Sequence, residues 1–322
     1  MKYHFLLAAI ATLSISQFAS ADVVNGFDLN GASIPDKETL EGGPPKDGIP
    51  SINQPKFLPA GKANLKADDR VLGVVYNGMA KAYPVQILNW HEIVNDKFDT
   101  ENIVVTYCPL CRSGVVFRAT VKGKPATFGV SGLLYNSNVL LYDRETESLW
   151  SQIGHQAVTG TLKGEKLEPI PVSNTTWKWW RAKHPDTLVL SEDTGYLRDY
   201  EKDPYGGYAE SPVTYFPFNP IAPTSYEYKD VVIGIEISGH YKAYPLVELQ
   251  QGASTIRDVV AGHSLNVQFD RKSQTVVVND AHGKEVTSLL TYWFAWYAFH
   301  PDTEVYSAKT GSNSKNKKSP GS

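Results

Sequence analysis

Cysteine is scarce: the 322 residues hold two. That number excludes a disulfide-dense scaffold, and it excludes a metal centre built from four cysteine thiolates of one chain. An excess of charge of one sign is also missing, with 31 Lys and Arg against 34 Asp and Glu. A nucleic-acid binder would carry a basic face, so this near-neutral balance argues against one. Beyond the N-terminus no stretch approaches the roughly 18 unbroken apolar residues of a membrane span. No phosphate-cradling glycine loop, Gly-x-Ser-x-Gly elbow or His-Glu-x-x-His pair occurs. Trp90-His91-Glu92 is not the last of these, because its second His is absent.

What is present points to a folded, strand-rich protein. The chain is 42% hydrophobic, with 18 Tyr, seven Trp, 25 Gly and 20 Pro. Such a composition buries a sizeable core and favours strands and turns over a helical bundle. Lys2 and His4 precede the apolar run Phe5 to Leu13, and Ala19-Ser20-Ala21 supplies small residues for cleavage. The pattern predicts a signal peptide over residues 1–21, cut between Ala21 and Asp22, and hence a periplasmic or secreted protein. Residues 22–59 are Gly- and Pro-rich and read as an extended arm lying over the domain. Residues 308–322, with Lys309, Lys315, Lys317 and Lys318 and no acid, read as a disordered basic tail.

Between arm and tail the sequence repeats. Val71 to Leu88 returns as Val232 to Leu249, each with a turn at Asn77-Gly78 or Ser238-Gly239 and the string Lys-Ala-Tyr-Pro. Trp180 to Val189 returns as Tyr297 to Val305, where an aromatic-rich helix stops before Pro185 or Pro301 and a strand follows. We therefore expect an α+β, β-dominated fold of two related β-sheet halves from an internal duplication, each with one or two short helices. The first spans 60–222 and carries the chemistry; the second, 223–307, is a degenerate copy. Trp90 to Asp96 is matched with Ile256 to Gly262, and the stretch Ile103 to Phe117 with Leu265 to Ser273. His91, Glu92, Cys108 and Cys111 have no counterparts in the second half, and neither does the segment from about Ser131 to Thr176.

The strings Trp-His-Glu-Ile-Val-Asn (from Trp90), Tyr-Cys-Pro-Leu-Cys (from Tyr107), Leu-Tyr-Asn-Ser-Asn (from Leu134) and Leu-Trp-Ser-Gln (from Leu149) are distinctive. Over about Lys66 to Val305 the chain resembles a family of secreted bacterial and archaeal proteins classed as a domain of unknown function. That resemblance brings no established activity, so function rests on the residues.

Cys108-Pro109-Leu110-Cys111 follows the apolar run from Ile103 and sits in a turn before a second strand from Val115. Three kinds of chemistry fit this spacing. Two thiolates form a chelating half-site for copper or zinc, with His91 as third ligand and His155 as a fourth candidate. Glu92 or Arg112 would then orient the ligands or balance their charge. Alternatively the pair is a thiol–disulfide oxidoreductase centre, with Cys108 as nucleophile and Cys111 resolving. A third reading is an inert disulfide in a ligand-binding or structural module, since an exported chain meets an oxidising compartment. Asn136, Asn138, Asp143 and Arg144 form a polar cluster expected to line a cleft beside the cysteines. Expected partners are a small molecule or another exported protein. The aromatic stretches at Trp177–Trp180 and Tyr292–Phe299 invite a sugar-stacking reading, but their recurrence at the same place favours core packing.

Overall fold

The computed structural model describes residues 23–309. The expected signal peptide, and the tail from residue 310 on, lie outside the described residues. The fold is α+β and β-dominated; among the described residues the short α-helices are α1 (Val85–His91), α2 (Trp177–Lys183), α3 (Leu246–Gln251) and α4 (Trp293–Phe299). No described helix is long and apolar enough to cross a membrane. Five sheets of three to five strands follow one another in a propeller-like arrangement.

Two of these sheets are built around tight hairpins. Arg70–Tyr76 turns into Met79–Pro84 through Asn77 and Gly78, and Val231–Ile237 turns into His240–Pro245 through Ser238 and Gly239. All four turn residues have positive φ, the geometry that matches the right-handed twist of a two-residue hairpin. Proline ends each hairpin, and α1 or α3 begins on the next residue. Later chain completes both sheets alike. Ser173–Thr176 and Ser288–Tyr292 pair with the first hairpin strands, while Leu188–Leu190 and Glu304–Val305 lie parallel to the second. Between those two additions run α2 and α4, whose Trp180 and Trp296 rings cover Gly73 and Gly234. A Cβ at either glycine would fall inside the indole, which is why no larger residue fits there.

A three-stranded meander follows each hairpin: Ile93–Phe98, Glu101–Cys108 and Ser113–Arg118 in the first unit, Thr255–Val260, His263–Asp270 and Thr275–Asp280 in the second. Charged groups tie meander to hairpin in the same way twice. Tyr83 Oη and Lys81 Nζ both donate to Asp96, and Tyr244 Oη and Lys242 Nζ both contact Asp258. These contacts fix the register and correct the sequence match of the Trp90 segment by four residues. Asp96 corresponds to Asp258, so Glu92 falls at Ser254 and His91 at Ala253. Both Glu92 O and Ser254 O accept a backbone N–H from the middle meander strand, from Tyr107 and Phe269 respectively.

The fifth sheet belongs to the first unit alone. It consists of Phe128–Tyr135, Asn138–Asp143, Leu149–Ser151 and Gln156–Ala157, with Thr39–Glu41 on its edge. The arm is therefore stitched in rather than laid over: Thr39–Glu41 completes this sheet, and Phe57–Pro59 pairs with Leu188–Leu190. Pro84 to Phe98, whose Val85, Leu88, Ile93 and Val94 are spaced for one amphipathic helix, is split between two elements. Its helix ends at His91 and Glu92 takes a left-handed conformation, so Ile93 and Val94 enter the core from a strand.

Candidate functional site

Cys108 closes the middle meander strand, and Ser113 opens the next, paired directly opposite it. The four residues between form the turn, with Arg112 in the left-handed region. The second unit makes the same turn from Asp270 to Thr275, with Gln274 left-handed. There Asp270 Oδ1 accepts hydrogen bonds from Ser273 N (2.8 Å) and Ser273 Oγ (2.7 Å), an ordinary side-chain closure of a turn. Cys108 and Cys111 occupy the Asp270 and Ser273 positions. The backbone path thus forms without cysteine, and the two thiols need another explanation.

Both are free thiols and both are buried, at 1% and 0% exposure. They converge on one acceptor: Ser137 O lies 3.2 Å from Cys111 Sγ and 3.8 Å from Cys108 Sγ. The second unit and Tyr208, from the segment after α2, hold the turn from behind. Tyr292 N and Thr291 Oγ1 both donate to Cys111 O, and Tyr208 Oη donates to Leu110 O. Beneath lies a fully buried polar network. Asn138 Nδ2 and Ser113 Oγ donate to Gln152 Oε1, and Gln152 Nε2 donates to Thr106 Oγ1. Burial, Cys108 and the Glu92 charge hold the Cys111 thiol well above its ordinary pKa, while the Asn138 hydrogen bond acts in the opposite direction.

On the other side of Cys108 opens a cavity of about 580 Å³. Its walls are mostly apolar, from the arm (Ile49), the fifth sheet (Val130, Leu134, Val139) and the segment after α2 (Tyr215, Phe216). Glu92 also faces it. Left-handed geometry at a non-glycine residue is strained, and it persists here because both backbone groups are bonded: Glu92 N to Leu88 O and Tyr107 N to Glu92 O, each 2.7 Å. The carboxyl accepts from Tyr205 Oη at 2.7 Å. Burial lifts its pKa to about 7, against the opposing pull of that hydrogen bond. Burial and the adjacent carboxylate push the Tyr205 phenol far above its ordinary range.

The remaining predicted site residues go elsewhere. His91 has both ring nitrogens engaged, Nδ1 with Pro50 O and Nε2 with Tyr200 Oη, each at 2.7 Å. His155 packs edge-on against Phe117 and lines a different cleft, together with His300. Burial lowers its pKa to about 4. Among the described residues no group of three or more His, Cys, Asp or Glu is placed to hold a metal ion. Contrary to expectation, none of Asn136, Asn138, Asp143 and Arg144 lines the cavity beside Cys108. Asp143 caps its own turn and accepts from Trp150 Nε1. Arg144 clamps the arm through Asp47 and Ser51, and Asn136 Oδ1 accepts from Asn219 N. Arg112 faces Tyr292 at the junction of the units. Only Asn138 of that group reaches the thiols. Sequence reasoning missed Tyr205, Gln152, Ser113 and Ser137; the last three were recoverable as polar residues inside otherwise apolar strands and their turn.

A buried thiol pair, of which Cys108 lines an apolar cavity, in a five-sheet β fold, defines the site. The chain belongs to the DUF3179 family, proteins of unknown function, whose profile it matches over residues 46–290. No curated protein and no solved structure matches it.

Proposed function

We propose that the protein is an exported thiol–disulfide oxidoreductase, with Cys108 and Cys111 as a dithiol/disulfide couple and Glu92 as their proton acceptor. The observation that carries this reading is the substitution of a Cys pair into a turn that the second unit closes with Asp270 and Ser273, where the turn borders a cavity. Cys108 faces the cavity and attacks a sulfur of a substrate disulfide, forming a mixed disulfide and releasing one substrate thiol. Cys111 then attacks Cys108 Sγ, and the second substrate thiol leaves. Two protein thiols become one disulfide and one substrate disulfide becomes two thiols: the Cys108 proton passes by way of Glu92 to the first departing thiolate, and the Cys111 proton by the same route to the second. A carboxyl poised near neutrality suits that transfer in both directions. Equilibration of the folded protein in graded dithiothreitol buffers, with alkylation after acid quench and unfolding, tests the couple: a reversible loss and return of two titratable thiols is expected, and an inert pair would exclude it.

The convergence of both sulfurs on Ser137 O favours a second reading, binding of copper(I). A soft ion of low coordination number is satisfied by two thiolates. Zinc fits less well, because its four-ligand shell finds no partner set among the described residues. Copper retained through dialysis by the wild type and lost in Cys108→Ser supports this reading. We also infer that the two units arose by duplication; their shared strand order, Trp-on-Gly packing and Lys–Asp–Tyr contacts support it.

A further inference from the structure

We infer that the substrate of the Cys108–Cys111 centre is a small, uncharged, ring-bearing disulfide, and that proteins and charged peptide disulfides are excluded. The inference rests on the dithiol reading and extends it to substrate class. Cys108 is 1% exposed, so the cystine of a folded protein has no line of attack on it. Whatever reaches the sulfur enters the cavity of about 580 Å³, a volume that suits a small organic molecule. The aromatic side chains facing that space are Trp90, Tyr205, Tyr215 and Phe216, surfaces on which a flat ring stacks. Besides Cys108 and the tyrosines, the ionisable groups lining it are Glu92 and Arg198. Glu92 is buried and already bonded to Tyr205, and Arg198 is exposed beside the Trp90 ring. No buried cation faces the cavity to receive an anionic substituent. A carboxylate carried to the sulfur would lose its water without gaining a buried cation as partner.

The test compares the neutral dipyridyl disulfide, the dianionic dithiobis(nitrobenzoate) and oxidised glutathione as oxidants of the reduced protein from Asp22 on. Each rate is divided by that of the same reagent with free dithiothreitol, which removes intrinsic reactivity. The neutral ring disulfide should be favoured roughly 100-fold or more over both charged ones. Cys111→Ser should trap one pyridylthio group on Cys108, detected by mass. Charged disulfides reacting as fast as the neutral one would overturn the substrate class while leaving the redox centre intact. Failure of all three on the folded protein, with ready reaction of the chain unfolded in guanidine, would overturn both.

Discussion

Two turns of the same shape separate the two units. From Asp270 to Thr275 the turn is closed by a carboxylate and a hydroxyl, with Asp270 exposed. From Cys108 to Ser113 it is closed over by core, with both sulfurs out of water. The frame around them is shared: Lys81 and Lys242, Tyr83 and Tyr244, Trp180 and Trp296 make matching contacts. What is common to both units is therefore what the fold requires. The thiols, Glu92 and the fifth sheet occur once, and Cys108, Glu92 and that sheet meet at one cavity.

That contrast can be broken at several levels. The largest effect should come from Asp96→Ala, which strands the Lys81 ammonium beside a buried Tyr83. Thermal or denaturant unfolding should show a loss of about 3–5 kcal/mol. Asp258→Ala should cost roughly half that or less, because the Lys242 pair is more open to water. Gly73→Ala and Gly234→Ala should each cost about 1–3 kcal/mol or more, and similar amounts, since each methyl meets an indole. Unequal losses would show that the two sheets are not mechanically alike.

Glu92→Gln sharpens the comparison through pH. The folded pKa of Glu92, about 7, is above the ordinary 4.5, so the folded state holds the proton more tightly than the unfolded chain. Stability contributed by this group is present below pH 4.5 and is lost as pH rises through 7. Glutamine carries no such penalty and keeps a partner for Tyr205. The variant should match wild type near pH 4.5 and exceed it by up to about 3 kcal/mol above pH 7, measured by urea unfolding across that range. Ser254, the corresponding residue, has no ionisable group and should give no pH-dependent difference when changed to Ala. The smallest effect on stability belongs to Cys108→Ser with Cys111→Ser. The turn forms in the second unit without cysteine, so the loss should stay below about 2 kcal/mol, while reaction with the neutral disulfide disappears.

Much of the frame was legible in the sequence. Lys-Ala-Tyr-Pro and His-Pro-Asp-Thr recur because each unit needs the same lysine, tyrosine and helix stop, so local chemistry left a readable trace. The Cys pair was legible for a related reason: it interrupts that recurrence. The ligand set drawn around it was not. His91 looked available because its partners, Pro50 and Tyr200, lie 41 and 109 residues away, and nothing local announces them. Tyr205 was invisible for the same reason, being brought to Glu92 from 113 residues along the chain. Asp143 and Arg144 sat next to Asn138 in sequence, but turn capping and clamping of the arm claim them first.

The dithiol reading turns on whether the folded protein has a reversible couple. Wild type and Cys108→Ser should be equilibrated over a range of reduced and oxidised dithiothreitol, quenched by alkylation and weighed. A two-electron transition in the wild type, identical from the oxidised and the reduced side and absent in the variant, is the predicted result. Two thiols that stay alkylatable at every poise, with the protein folded throughout, would contradict it.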